Sequence, residues 1–321
     1  MGKLDEIIKK LARKVKRHPR SLLTWFDDAG AIEVGGRYFV VKVDGFAASR
    51  ALYPWCSYRD FGFRGVVGAV SDVIAKGCRP YVYAISVGVK PENSDFVEDI
   101  IKGVEDAVDV FGGYIENIDT NIGYDDWIDV FILGECNNRP LPRRARELSK
   151  IILPRRIGLS LIGYMEYAKK RTPSIDEVRK FSCRPMPCKQ IVDVIEHCRS
   201  CLEGSIDISD TFAETLQQLS EVSEAGVYID EDPSKMLHPL AIEYSKRVGV
   251  DLQIAVLASN EEYIPLLIAK PGCEEEVLER LKSIGLEPIA IGTIISQQDV
   301  LWMGRAVPKI VWDYIQGIVT V

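Results

Sequence analysis

The first half of the chain mixes β-prone runs with long segments that carry an apolar stripe. Four runs of β-branched and aromatic residues predict strands: residues 31–34, 37–44, 81–89 and 127–134. Two segments have apolar side chains at helical spacing and predict helices: residues 62–76 and 94–111. Gly35-Gly36 joins the first two strands and predicts a hairpin. Gly77 and Gly112 follow the two helices, as expected of C-terminal caps.

The second half shows the same mixture. Helical spacing of apolar residues predicts five helices: residues 157–170, 174–181, 188–202, 211–224 and 273–284. Residues 205–208 and 288–295 predict strands. A basic run interrupted by prolines, residues 139–156, is typical of a connection between domains. We therefore predict a two-domain α/β (α+β) fold, with an N-terminal domain over 23–145 and a C-terminal domain over 146–321.

Charge is distributed unevenly along the chain. The 321 residues carry a net charge of −7, yet the first 20 contain eight Lys or Arg and only two Asp or Glu. Residues 1–22 also predict an amphipathic helix, with this apolar stripe: Leu4, Ile7, Ile8, Leu11 and Val15. The helix is interpreted as a surface helix docked by that stripe. The alternative is an arm that binds an anionic ligand or RNA.

Composition and missing motifs exclude several classes of function. An acidic chain argues against general nucleic-acid binding, which needs a positive field around phosphates. No apolar run is long enough for a membrane helix, so we expect a cytoplasmic protein without membrane association. The chain has no Walker A loop, Gly-x-Gly-x-x-Gly or Gly-x-Ser-x-Gly motif. Its three histidines, His18, His197 and His238, poorly supply a histidine-based triad or a catalytic zinc site.

Four of the eight cysteines lie close together in the sequence: Cys183, Cys188, Cys198 and Cys201. Buried or partly exposed thiols are the favoured interpretation. A disulfide or a four-cysteine metal site stays open as an alternative. Two of these cysteines fall on the predicted helix 188–202, which is unlike a zinc-knuckle turn.

Aspartates stand at the ends of predicted apolar elements or inside them. The positions are Asp27-Asp28 before the first strand, Asp44-Gly45 after the second, Ser71-Asp72 within an apolar run, Asp119-Thr120 after residues 114–118, and Ser209-Asp210 after the strand 205–208. A carboxylate near a core is costly unless it is paired or bound to metal. Mg²⁺ prefers such oxygen ligands and commonly shares them with substrate phosphates. Each acid alone also suits a turn or a helix N-cap.

These motifs belong to an ordered series. The series is Asp27-Asp28-Ala29, Val43-Asp44-Gly45, residues 71–77 (Ser-Asp-Val-Ile-Ala-Lys-Gly), Asp119-Thr120, Arg184-Pro185-Met186-Pro187 and residues 206–210 (Ile-Asp-Ile-Ser-Asp). Its order and spacing over residues 25–295 resemble the aminoimidazole ribonucleotide synthetase (AIR synthase-related) superfamily. The turn Arg-Pro-x-Pro, followed by Asp-Ile-Ser-Asp, is most similar to the thiamine-monophosphate kinase branch.

The resemblance implies an N-terminal domain whose sheet pairs with its copy in a homodimer, and a C-terminal α/β domain. It implies ATP and Mg²⁺ as cofactors, and phosphoryl transfer to a small-molecule acceptor such as thiamine monophosphate, in thiamine biosynthesis. The implied metal ligands are Asp27, Asp28, Asp44, Asp72, Asp119 and Asp210. The implied nucleotide contacts are Asp27, Asp28, Asp44, Gly45, Ser71, Asp72, Asp119, Thr120 and Ser209. Asp210, which comes from the other domain, is the implied catalytic residue and orients the acceptor.

The chain departs from the pattern of that branch. Asn117-Ile118, Thr211 and Ser259-Asn260 replace glycines, which elsewhere let the backbone approach a ligand closely. Lys76 replaces a methionine, and it is interpreted either as a phosphate contact or as a solvated helix residue. Two further functions therefore stay open: a non-catalytic dimeric protein that binds a nucleotide or metabolite, and an ATP-dependent synthetase.

Overall fold

The computed structural model describes residues 3–12, 14–313 and 317–320. A first sheet contains five strands: β1 (Gly30–Val34), β2 (Arg37–Ala47), β3 (Arg79–Val89), β4 (Tyr114–Ile122) and β5 (Trp127–Cys136). Its spatial order is β1-β2-β5-β3-β4, and only the β3–β4 pair is parallel. The predicted hairpin is confirmed, because Gly35 and Gly36 take φ of 59° and 79° between β1 and β2.

Four helices accompany this sheet: α1 (Lys3–Ala12), α2 (Ala48–Ala51), α3 (Tyr58–Ala75) and α4 (Val97–Phe111). Ser57 and Asp60 form a capping box at the start of α3, and Gly77 follows its end with a φ of 74°. Every residue of α3 from Phe61 onward is buried. This helix packs on β2 and β5 and also contacts strands of the second half, so it lies at the centre of the molecule.

A second sheet contains seven strands: β6 (Lys150–Leu153), β7 (Leu202–Asp207), β8 (Gly226–Ile229), β9 (Pro265–Ala269), β10 (Ile289–Ile295), β11 (Val300–Trp302) and β12 (Arg305–Ala306). Its order is β12-β11-β8-β10-β6-β9-β7. Eight helices follow the same half: α5 (Leu159–Ala168), α6 (Asp176–Cys183), α7 (Ile191–His197), α8 (Phe212–Ser223), α9 (Pro233–Met236), α10 (Pro239–Val248), α11 (Leu252–Ala258) and α12 (Glu274–Ser283). Strands β13 (Ile310–Asp313) and β14 (Gly317–Thr320) form a separate pair. The predicted α/β (α+β) class is confirmed.

The amino-terminal helix differs from the prediction of a helix over residues 1–22. It ends at Ala12, and residues 14–22 are not helical. Pro19 disfavours helix at His18, so one helix over the whole of residues 1–22 is unfavourable. Ile7, Ile8 and Leu11 are exposed, so the docked-stripe interpretation is wrong for these side chains. Residues 1, 2 and 13 and the Leu4 side chain lie outside the described residues.

Two other elements also differ from their predicted bounds. The helix predicted over 188–202 is only Ile191–His197, because Leu202 already pairs with Ala269 in the second sheet. Strand β4 continues well past the predicted run at 114–118.

Within the part of the chain that is described, no helix combines the length and apolar character needed to cross a bilayer.

Two disulfides change the picture of the cysteines. Cys56 is bonded to Cys183, and Cys78 to Cys136, with Cα–Cα distances of 5.4 and 4.3 Å. The proposed four-cysteine metal site is therefore wrong, since Cys183 is committed to a residue far outside the cluster. Four cysteines remain as thiols: Cys188, Cys198, Cys201 and Cys273.

Candidate active site between the two sheets

Asp27 and Asp28 are neutralised by cations of the chain itself. The Lys76 ammonium, at the carboxyl end of α3, lies 2.7 Å from Asp27 Oδ1 and 2.6 Å from Asp28 Oδ2. The Arg143 guanidinium pairs with the other oxygen of Asp28. Burial by itself would raise the pKa of Asp28, but Arg143 and Lys76 outweigh it and hold that pKa well below its ordinary value. Asp28 therefore stays ionised inside the protein.

This arrangement overturns both interpretations of Lys76. Its side chain has no exposed surface, so it is not a solvated helix residue, and it is directed at carboxylates, not at an open phosphate site. Desolvation opposes its charge, but the two aspartates together raise its pKa.

A second ion-paired group lies where β2 crosses α3. Lys42 shares a strand face with buried Val40. Its Nζ atom lies 2.5 Å from Asp72 Oδ2 and 3.4 Å from Asp44 Oδ2. A Cβ added at Gly68 of α3 would lie 3.6 Å from Asp44 Cγ, so Asp44 faces this helix. The structure thus brings two predicted acids together, with one lysine between them.

Asp207, at the end of β7, joins this group from the second sheet. Its Oδ1 accepts a 2.6 Å hydrogen bond from Ser71 Oγ, whereas its Oδ2 is buried and has no hydrogen-bond partner among the described residues. Burial raises the pKa of Asp207 to about 7. Burial, together with repulsion from Asp207, also raises the pKa of Asp72 well above its ordinary value, although Lys42 acts in the opposite sense. Asp44, Asp72 and Asp207 thus offer three carboxyl groups to one ammonium, and the raised pKa values of Asp72 and Asp207 favour their protonated forms until a further cation balances them.

Asp119 and Thr120 lie apart from that group. They are exposed on the edge strand β4, and Asp119 is paired in register with Ser86. Ser86 pairs on its other side with Asp129, and Asp129 with Gly45, so this row occupies the open face of the sheet. A Cβ at Gly45 would lie 1.9 Å from Asp129 Oδ1, so glycine is needed there for strand packing.

Ser209 and Asp210 occupy the loop between β7 and α8. Glu261 N donates to Ser209 O over 2.9 Å, and Gln218 Nε2 donates to Asp210 Oδ2 over 3.4 Å. The N-cap of α8 is Thr211, so the alternative interpretation of Ser209-Asp210 as the helix cap is wrong. Asp210 is half-buried near the domain junction, which leaves its predicted role as a proposal.

Arg64 joins α3 to three distant segments. Its guanidinium pairs with Glu261 and donates to Ala51 O and Ser182 O over 3.0 and 3.1 Å. The same guanidinium lies 5.1 Å from the ring centroid of Tyr53. This buried cation holds the loop that carries Glu261 against the first half of the chain.

Glu262 follows in the same loop and is fully buried. Its Oε1 accepts hydrogen bonds from Gly158 N, at 2.7 Å, and Ser160 Oγ, at 2.8 Å. Burial raises the pKa of Glu262 to about 7, although the nearby Arg155 acts against this shift. Under mildly acidic conditions the Glu262 carboxyl is therefore protonated in the folded chain. In the unfolded chain it has already lost that proton.

Glu262→Gln is expected to change how stability depends on pH. Between about pH 4.5 and 7 the folded chain binds the extra proton, so the stability of the wild type relative to this variant falls as pH rises. The difference amounts to about 3 kcal/mol across the window. Urea unfolding at pH 5 and pH 8 measures it, with exposed Glu243→Gln as the control. Equal pH dependence in wild type and Glu262→Gln would contradict the prediction.

Sequence reasoning missed Lys42, Arg64, Arg143 and Asp207 as site residues. Lys42 and Arg64 do carry a signal, because each interrupts the buried face of an otherwise apolar element. Arg143 had none, since it stands in a basic run that resembles exposed surface. Asp207 was inside a quoted motif, but its burial depends on packing of the second sheet.

A bound metal fits one part of the site better than the other. Among the residues that the structure describes, no three His, Cys, Asp or Glu side chains are placed to hold a metal ion. Asp27 and Asp28 already have two cations against them. The group of Asp44, Asp72 and Asp207 has hard oxygen donors, one lysine as ion-pair partner, and one oxygen without a hydrogen-bond partner among the described residues, which suits a hard cation.

Comparison with known proteins agrees with this architecture. Residues 26–136 match the family model of AIR synthase related protein, N-terminal domain. The thiamine-monophosphate kinase of Pyrobaculum calidifontis is 24% identical over 278 residues, which cover 87% of each chain. The structure of tt0281 from Thermus thermophilus has a TM-score of 0.87 and 26% identity, and covers 96% of this chain and 98% of its own.

A structure of AaThiL complexed with AMPPCP and TMP has the same fold. Its TM-score is 0.81 at 21% identity, over 97% of this chain and 95% of that chain. The ordered acidic motifs, the matched N-terminal domain and the full-length similarity agree with one another. The N-terminal domain of the chain matches the AIR synthase related family, and over most of its length the chain is similar to thiamine-monophosphate kinases.

Proposed function

We propose that this protein transfers the γ-phosphoryl group of ATP to a small metabolite, as its thiamine-monophosphate kinase relatives are named for doing. The observation that carries the proposal is the group of Asp44, Asp72 and Asp207, which lies between the two sheets and in which the Lys42 ammonium pairs with Asp44 and Asp72. Thiamine monophosphate is the first acceptor to test.

The chemistry requires little covalent participation by the protein. Phosphoryl transfer depends mostly on in-line positioning and on neutralising phosphate charge. Asp44, Asp72 and Asp207 would hold magnesium, which would supply neutralisation of phosphate charge. Lys42 orients Asp44 and Asp72 through its ion pairs. Asp210, in the loop that Glu261 holds, would orient the acceptor.

An assay of ADP formation tests the proposal. Purified protein is incubated with Mg–ATP and, separately, with thiamine monophosphate, other phosphate-bearing acceptors or no acceptor. The proposal expects ADP and phosphorylated product in equal amounts with one acceptor, and little ADP without it. Failure of calorimetric titration to detect ATP binding would contradict the proposal.

A second candidate is a dimeric protein that binds nucleotide without turnover. The ion pairs favour it, because Lys42 and Lys76 already engage four acids of the series. Calorimetric binding of ATP with no product from any acceptor would select this candidate over the kinase.

We also propose that the open face of the first sheet is a homodimer interface. Val43 and Tyr114 lie on that face and are 63% and 68% exposed, and Phe131 lies beside them. Apolar side chains in such a patch are commonly covered by a partner.

We propose the domain boundary at 145/146 as well. The strands of the first sheet lie within residues 30–136 and those of the second within residues 150–306, which supports this boundary.

Val43→Asp is expected to convert the dimer into a monomer, because it places a charge in the centre of the proposed interface. Light scattering at micromolar concentration measures the mass. Met303→Asp, at an exposed residue of the turn between β11 and β12 in the second sheet, is the control and should remain dimeric. A wild-type protein that is monomeric would contradict the proposed interface.

A further inference from the structure

Lys76 is enclosed completely by the two halves of the molecule. Its Nζ atom lies within 2.7 Å of a carboxylate oxygen of both Asp27 and Asp28, and 3.2 Å from Ser205 O of β7. Three acceptors therefore surround the ammonium, which is the number of protons that it can donate. A lysine held in this way is part of the folded interior.

The remaining oxygens of these aspartates are engaged as well. Asp27 Oδ1 also accepts from Asp28 N over 2.9 Å, and Asp27 Oδ2 accepts from Arg143 N over 2.8 Å. Asp28 Oδ1 pairs with the Arg143 guanidinium. Two carboxylates thus meet two fixed cations, and no negative charge is left over for a third.

We propose that the Lys76 ammonium takes the place of a metal ion between Asp27 and Asp28, so that this pair binds no divalent cation in this protein. The family resemblance assigns metal to both acids, and the contacts of this chain disagree. A metal ion could enter only by displacing a buried lysine, and that lysine would lose both carboxylates without access to water. Leaving a buried charge unpaired costs several kcal/mol.

The inference goes beyond the proposed function, because it concerns a fixed cation and not turnover. It also separates the acids into two sets. Asp27 and Asp28 are balanced internally, whereas Asp44 and Asp72 share one lysine and lie near Asp207. Among the described residues, the second set has more carboxyl groups than cations, so a metal–nucleotide complex can displace their protons and bind there.

Counting of bound Mn²⁺ by electron paramagnetic resonance, without nucleotide, tests the inference. In the wild-type background, Asp27→Asn is expected to leave the number of bound ions unchanged. Lys76→Met removes the ammonium and keeps a side chain of similar length, so it is expected to gain one Mn²⁺ at millimolar concentration. Asp27→Asn added to Lys76→Met should remove that gain. Exposed Lys102→Met is the matched control and should gain nothing.

Two results would overturn the inference. The first is loss of a bound Mn²⁺ when Asp27→Asn is made in the wild type, which would show that Asp27 already binds metal. The second is a folded Lys76→Met protein that binds no more Mn²⁺ than the wild type does. If Lys76→Met does not fold, the Asp27→Asn comparison decides alone. Mn²⁺ counts do not depend on ATP or acceptor, so failure of the kinase proposal would be recognised separately.

Discussion

Replacing both Asp44 and Asp72 by asparagine is expected to slow ATP-dependent phosphoryl transfer by roughly 100-fold or more. The two carboxylates face one another across β2 and α3 and share the Lys42 ammonium. Removing both charges leaves that lysine without an acidic partner in this group except Asp207. The phosphates of ATP would then face the Lys42 ammonium, but neither Asp44 nor Asp72 could hold the accompanying metal ion.

Initial rates of ADP formation with the accepted metabolite measure this effect, alongside calorimetric titration with ATP. Asp109→Asn, at an exposed acid of α4, is the control and should keep the wild-type rate. Thermal unfolding of the double variant shows whether it is folded. A folded Asp44→Asn/Asp72→Asn protein with wild-type rate and wild-type ATP affinity would refute the assignment of these acids to the site.

Arg64→Met is expected to destabilise the fold by about 3–5 kcal/mol. The buried guanidinium pairs with Glu261 and donates to the carbonyl oxygens of Ala51 and Ser182. Methionine fills much of the same volume but donates nothing, so two carbonyls and one carboxylate lose their partner. These acceptors come from three separate segments, so the loss weakens packing between the two halves.

Urea unfolding at neutral pH measures the change in free energy. Arg59→Met is the matched control on the same helix, since Arg59 is half-exposed and pairs with Asp106 at the surface. It is expected to cost much less than Arg64→Met, because solvent screens an exposed ion pair. Adding Glu261→Gln to Arg64→Met should recover part of the loss by removing the unpaired carboxylate. Equal destabilisation by Arg64→Met and Arg59→Met would contradict the buried role.

The long elements could be predicted because each carries its own signal. Helix α3 has apolar residues at helical spacing, a capping pair at Ser57 and Asp60, and Gly77 after its end. The hairpin β1–β2 is marked by Gly35-Gly36. In contrast, β6, β8 and β9 are short strands of four or five mostly buried residues. A short, continuous apolar run does not distinguish a buried strand from part of a helix, so these strands were not predicted.

The sequence by itself determined most of the long elements of both halves, but not α10, together with the ordered aspartates and the resemblance to AIR synthase-related proteins. Only the tertiary structure decided which charges meet. Lys76 and Asp27 are 49 residues apart, and Arg143 and Asp28 are 115 apart, so no local periodicity relates them. Nor does sequence reveal that these four side chains are largely withdrawn from water, and burial is what makes their pairing compulsory. For that reason one series of acids predicted as a single metal site divides into an internally neutralised pair and a group with more carboxyls than its lysine can balance.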